Sequence, residues 1–403
     1  MQSKDQNNRK NMNRGLAFAY RVGDIGEKVM QNTLTRGQTG ASVLKGKLQK
    51  GQWYRFPVPE GMSGDGSEYY FYIRKGQSSH LCLFFSGGGM AWNEYTAARP
   101  VTGVKLAAGM PNFYWNNLRP FTQIMNIRTG LTDLLNPLNP FRDWNFIVIT
   151  YATGDLHIGN NDFPYTAENG SSQVLHFHGH ANFLSVMERA REFFPEPDSL
   201  LIAGDSAGAF AVPALADEIL EKYYPLCASV TLFSDSGQLL YPRWKKTVRD
   251  VWKTDDRLWK AIHTPNITMD WYQQLYRKYG DSIRYLYASS THDYLLSAYF
   301  NDITRKVYLT DEDVQNEFFC QLKDFVEEFK SMTPQSGIFL NHWKNLTIYP
   351  KLRGGTIHTA VRQASFFRKM QGGVSMAEWL HDATEGHVRD IGRHCLTSTE
   401  STA

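Results

Sequence analysis

The sequence predicts an α/β fold built on a mostly parallel central sheet with helices on both faces, and three observations carry that reading. Short, continuous apolar runs recur along the chain, as buried parallel strands require. Longer amphipathic stretches separate them, the alternation of a βαβ chain. Nearly every apolar run ends in Gly, Ser, Asp or His, and open α/β sheets carry their functional groups just past the carboxyl ends of strands.

Residues 1 to about 50 read as a polar tail, a helix and a loop. Strands are then expected at Tyr69–Arg74 and Leu81–Phe85, the second running into Ser86-Gly87-Gly88-Gly89. Asn145–Tyr151 leads to Ala152-Thr153-Gly154-Asp155, and Ser199–Ala203 to Gly204-Asp205-Ser206-Ala207-Gly208. Ser229–Phe233 ends in Ser234-Asp235-Ser236-Gly237, and Arg284–Ala288 precedes Ser289-Ser290-Thr291-His292-Asp293. A last strand over Leu346–Pro350 is expected to deliver Gly354-Gly355-Thr356-Ile357-His358. Helical patterns fall at His180–Phe194, Ala207–Tyr224 and Val314–Met332. Residues 98–142, rich in Pro and Asn, and 240–282, rich in Trp, Tyr and charge, break the alternation. They read as insertions over the sheet's active end, forming a cap on one domain of 51–395, with 396–403 as a tail.

Composition excludes several function classes. Of 403 residues, 42% are hydrophobic, ample for a large core. The 43 basic and 40 acidic residues nearly cancel, and no basic run interleaves with aromatics, so no nucleic-acid partner is expected. Cys82, Cys227, Cys320 and Cys395 are scattered without a CxxC pair, which favours reduced thiols over disulfides or a zinc site. Neither an apolar leader nor a membrane-length apolar stretch is seen, so the expectation is a soluble, cytoplasmic protein without a membrane partner. Asn-x-Ser/Thr matches at Asn169, Asn266 and Asn345 then carry little meaning. The oligomeric state is not legible.

The chemistry centres on Gly204-Asp205-Ser206-Ala207-Gly208. A Gly-x-Ser-x-Gly turn between a strand and a helix lifts the serine hydroxyl above the sheet, the nucleophile elbow of an α/β-hydrolase fold. Serine attack on a carbonyl develops negative charge on oxygen, which demands preorganised N–H donors. Ala207, next to the nucleophile, and Gly88 and Gly89, in the loop after an upstream strand, are the expected oxyanion donors. An acid and a base should follow in that order. His358 is the candidate base. Asp293 is preferred as the acid over Asp235, because acids usually occupy the later strand end. Trp92, Asn93 and Asp155 are candidates for substrate contact. His176, His178 and His180 alternate, yet no carboxylate partner is evident nearby, so a structural role is preferred over a metal. Trp244, Trp252, Trp259 and Trp271 read as packing, with a face for sugar stacking as the alternative.

Gly87-Gly88-Gly89-Met90-Ala91-Trp92-Asn93 resembles the GGGWC-type loop of the pectin acetylesterase family, which includes the Notum carboxylesterases. Tyr151–Gly159 resembles its YCTGD segment, and Phe177-His178-Gly179, Val186-Met187-Glu188 and the Ser206 motif resemble its FRG, VME and GCSAGG succession. Ser234-Asp235-Ser236-Gly237 is similar to its DSG turn. The resemblance, over residues 65–365, implies a nucleophile at Ser206, an acid at Asp293 and a base at His358. Asn93 and Ala152 stand where eukaryotic members carry cysteines, which implies a bacterial-type member in a reducing compartment. The implied reaction is serine-dependent hydrolysis of carboxylic esters, foremost O-deacetylation of a carbohydrate, with no metal or organic cofactor. Long-chain acyl esterase or thioesterase activity, and a catalytically silent binding protein on the same fold, stay open as alternatives.

Overall fold

The computed structural model describes residues 41–397, apart from 104, 106–108, 119–125, 348 and 371. The helix expected before residue 41, part of the 98–142 insertion and the end of the C-terminal tail lie outside the described residues. In chain order the strands are β1 (Ser42–Val43), β2 (Trp53–Met62), β3 (Glu68–Arg74), β4 (Leu81–Phe85), β5 (Asn145–Ile149), β6 (Asn161–Thr166), β7 (Ser172–Phe177), β8 (Ser199–Asp205), β9 (Ser229–Asp235), β10 (Ile283–Ser290) and β11 (Ser336–Asn341). The helices are α1 (Glu94–Ala97), α2 (Gly179–Phe193), α3 (Ala207–Glu218), α4 (Trp244–Lys246), α5 (Asp256–Lys260), α6 (Ile267–Tyr279), α7 (Tyr294–Arg305), α8 (Glu312–Met332) and α9 (Met376–Thr384).

The central sheet runs β1-β2-β3-β5-β4-β8-β9-β10-β11, and every neighbouring pair from β5 onward is parallel. The antiparallel part is confined to β2, β3 and β5. This is the expected α/β-hydrolase architecture. The all-buried runs of β4 and β8 lie at its centre. Side chains alternate across the sheet. Ser234 therefore faces α3, where its hydroxyl donates to the Ala209 carbonyl, while Phe233 faces the other side and meets Trp379 of α9. Tyr287 of β10 packs on Phe325 and Phe329 of α8.

One expected strand fails, and strands appear that were not expected. None of the described residues of 346–350 is in a strand: the Asn345 side chain donates to the Leu352 and Gly354 carbonyls, closing a loop, and Pro350–Leu352 is a 3-10 turn. Ser336–Asn341 forms the last strand instead. The apolar reading of Leu-Thr-Ile-Tyr-Pro overlooked that a proline cannot donate to a ladder. Conversely, Trp53–Met62 forms β2 although it holds Pro57 and Pro59. Pro57 keeps regular register opposite Tyr70, and Pro59 falls in a register irregularity between Val58 and Met62. Among the described residues no helix is long and apolar enough to cross a membrane.

Candidate active site

Ser206 sits between β8 and α3 at φ 51° and ψ −122°, a backbone region that a non-glycine residue adopts only under strain. The conformation is held from both sides. The Ser206 amide donates to the Asp235 carbonyl at the end of β9, and the Ser206 carbonyl accepts from Ala209 N–H in α3. Gly208 makes the turn possible, since a Cβ there would lie 2.0 Å from the Phe85 carbonyl oxygen.

His358 Nε2 lies 2.8 Å from Ser206 Oγ, and His358 Nδ1 lies 2.8 Å from Asp293 Oδ2. Because a carboxylate only accepts, Nδ1 carries the ring proton and Nε2 accepts from the serine hydroxyl. Asp293 is fully buried and caps α7: its other oxygen accepts from Leu295 and Leu296 N–H. One carboxylate thus anchors both a helix and the imidazole. Burial opposes a charge on His358, but the Asp293 charge and hydrogen bond, with Asp205 and Asp235 behind them, outweigh it and raise its pKa above the ordinary 6.5.

Asp235 is equally buried but turned elsewhere. Its Oδ2 accepts from the backbone N–H of Ala360, at 2.6 Å, and of Val361, at 2.8 Å. It therefore holds the loop that carries His358 without touching the ring. Desolvation pushes its pKa up to about 6, against the pull of those two amides. Asp205 plays a parallel part: it accepts from Gly87 N–H and from the Arg362 guanidinium, both at 2.9 Å. Arg362 donates to both Asp205 and Asn126, a trio that nothing in the sequence marks beyond the aspartate inside the serine motif.

Gly87, Gly88, Gly89 and Ser206 border a cavity of about 320 Å³, together with His358, Arg362, Lys351 and a wall that includes Phe113, Trp115, Phe210, Leu296, Tyr299 and Tyr308. At Gly89 φ is +79° and a Cβ would lie 1.9 Å from the Phe113 carbonyl oxygen, so the loop conformation requires glycine there. Gly88 and Gly89 N–H donate to no acceptor among the described residues. Ala207 opens α3, where a helix leaves its first amides without intrahelical acceptors.

The three expected substrate contacts do not line this cavity. Trp92 is buried edge-on against Phe113. The Asn93 side chain accepts from Thr96 N–H and caps α1. Asp155 is buried beneath the loop after β5, accepting from the Thr153 hydroxyl and from the His157 and Gly179 amides. His157, driven to a pKa of about 4 by burial, is neutral and donates from Nε2 to the Ser86 carbonyl, bracing the glycine loop. Residues 240–282 supply no lining residue among those described. Trp244, Trp252 and Trp271 are buried there, each donating its indole N–H to a backbone carbonyl. The three alternating histidines part company. His180 pairs with Glu218 of α3, whereas His176 and His178 both turn to Asp162 on β6, the carboxylate that sequence proximity did not reveal.

Compared with known proteins, residues 60–266, just over half of the chain, match the family described as Pectinacetylesterase. That span holds Gly87–Gly89, Ser206 and Asp235 but ends before Asp293 and His358. No curated protein matches by sequence. Among solved structures, the Wnt deacylase Notum from Drosophila is similar in two crystal forms. One has a TM-score of 0.54 at 16% identity, covering 82% of this chain and 92% of Notum. The other has a TM-score of 0.55 at 15% identity, covering 84% and 94%. Likeness at that identity speaks for the fold.

Proposed function

Because this chain belongs to the pectinacetylesterase family, esterases acting on carboxylic esters, we propose that it is a serine carboxylesterase that removes O-acetyl groups from a carbohydrate. The observation that carries the mechanism is the unbroken chain from Ser206 Oγ through His358 to Asp293, opening on a cavity beside the glycine loop. His358 takes the serine proton as Oγ attacks the acyl carbon, and Asp293 holds the ring tautomer and stabilises the imidazolium. The N–H groups of Gly88, Gly89 and Ala207 receive the oxyanion. Collapse expels the sugar hydroxyl, protonated by His358. Water, deprotonated by the same base, then releases acetate from the acyl-enzyme. Lys351, Arg362 and Gln363 at the cavity suit a polar alcohol portion. Four free thiols support a reducing, cytoplasmic setting.

A second reading, hydrolysis of a longer acyl ester, draws support from the aromatic and aliphatic cavity wall. One experiment separates the two. Acetate release from acetylated pectin, xylan, chitooligosaccharides and small acetyl sugars is measured beside a chain-length series of p-nitrophenyl esters, with wild type and Ser206→Ala. The expected outcome is a preference for acetyl over long acyl groups and complete loss in a folded Ser206→Ala protein. A preference for long chains selects the second reading, and activity surviving in Ser206→Ala removes the serine mechanism.

A further inference from the structure

The hairpin of β6 and β7 carries a cluster with no part in the chemistry above. Asp162 and His176 are directly opposed in its antiparallel register. His178 lies two residues beyond His176, so both rings emerge on the face that carries Asp162. Asp162 Oδ1 lies 2.6 Å from His176 Nδ1 and 2.9 Å from His178 Nε2. Among the described residues this is the only group of three or more His, Cys, Asp or Glu whose ligand atoms converge, all within 4.8 Å of one another.

We propose that Asp162, His176 and His178 form a binding site for a divalent transition metal of the Zn²⁺ class. Two imidazole nitrogens and one carboxylate oxygen are the donors such ions prefer, leaving a fourth position for water. Ligands at about 2.0–2.1 Å in tetrahedral geometry stand roughly 3.3 Å apart. Asp162, whose side chain is 62% exposed, has room to move outward from 2.6 and 2.9 Å toward that spacing, and the two ring nitrogens lie within 4.8 Å of each other. Without an ion, one half-solvated carboxylate serves two rings, an arrangement worth little at a surface.

Both rings bind as neutral ligands, each keeping its proton on the nitrogen turned away from the ion: Nε2 of His176 and Nδ1 of His178. The N-terminus of α2, which follows His178, would repel a cation. Asp155 offsets this by accepting the first amide of that helix, from Gly179. The ion would tie the hairpin to the start of α2. Asp162 and His176 touch none of the groups assigned to ester hydrolysis, so the site stands apart from that reading.

The test uses the full chain without a histidine tag, stripped with a chelator and titrated with Zn²⁺ by calorimetry and with Co²⁺ by visible absorption. The wild type is expected to bind one ion per chain. His176→Ala and Asp162→Ala should each weaken binding by at least about tenfold, the scale at which even outer-shell partners count. His387→Ala, an exposed histidine elsewhere, should leave binding unchanged. Circular dichroism checks that the variants fold, and p-nitrophenyl acetate hydrolysis by Asp162→Ala and His176→Ala should match the wild type. No saturable binding in the wild type, or undiminished binding in His176→Ala, overturns the proposal.

Discussion

The ends of β9 and β10 are neighbours in the sheet, and each delivers a fully buried aspartate toward the loop that carries His358. They use it differently. Asp293, past β10, gives one oxygen to the imidazole and the other to the first turn of α7. Asp235, closing β9, spends Oδ2 on two backbone amides just beyond the histidine. Under the proposed mechanism the first contact is made to a ring whose charge changes during acyl transfer; the second is made to backbone whose charge never changes. Burial and residue type are the same in both, so neither separates their proposed roles. The group each carboxylate holds does. Strand β8 adds a third case, in which Asp205 grips Gly87 and Arg362 and so ties the glycine loop to the histidine loop.

Substitution can break this comparison. The largest effect expected is from Asp293→Asn, a loss on the order of ten-thousandfold in kcat, since the amide favours the wrong tautomer of His358. Steady-state kinetics on p-nitrophenyl acetate measure it. Gly89→Ala should come next, at about 10²–10³-fold, because a side chain cannot fit there without moving a proposed oxyanion donor. Asp235→Asn should cost less than about a hundredfold, the scale of a displaced loop. If Asp235→Asn proves more damaging than Asp293→Asn, the roles assigned to the two strand ends must be exchanged.

The smallest effect is one of pH. As the proposed base His358 must be neutral, and its pKa is raised, so kcat/KM should fall as pH drops through a value above 6.5. Removing the Asp293 charge should move that inflection downward in whatever activity Asp293→Asn retains. Removing the Asp235 charge should move it less, since Asp235 influences the ring only through space. An inflection below 6.5 in the wild type would contradict the electrostatic account.

Much of this was legible along the chain. Continuous apolar runs marked the central strands, since a strand covered on both faces has no polar side to show. Ser206 was marked by the glycines its turn needs. Less visible are β2, whose prolines disguise it, and β11, a short run containing Gly337 that competes with the more apolar Leu346–Pro350. Trp92, Asn93 and Asp155 had the composition of binding residues, yet the fold uses them for packing, capping and bracing. Asp162 stood 14 residues before His176 with nothing local to join them until the hairpin register did.

By itself the sequence determined the sheet, the elbow and the glycine loop, because each depends on short-range requirements: hydrophobic periodicity, a strained turn and positive φ. Only the tertiary structure decided which side chains meet. Ser206 and His358 are 152 residues apart, and His358 and Asp293 are 65. Contacts at such separations depend on strand register and on the path of the loop after β11. The histidine ring reaches Asp293 while its neighbours Ala360 and Val361 reach Asp235, and that difference arises from how the 356–362 loop crosses two strand ends.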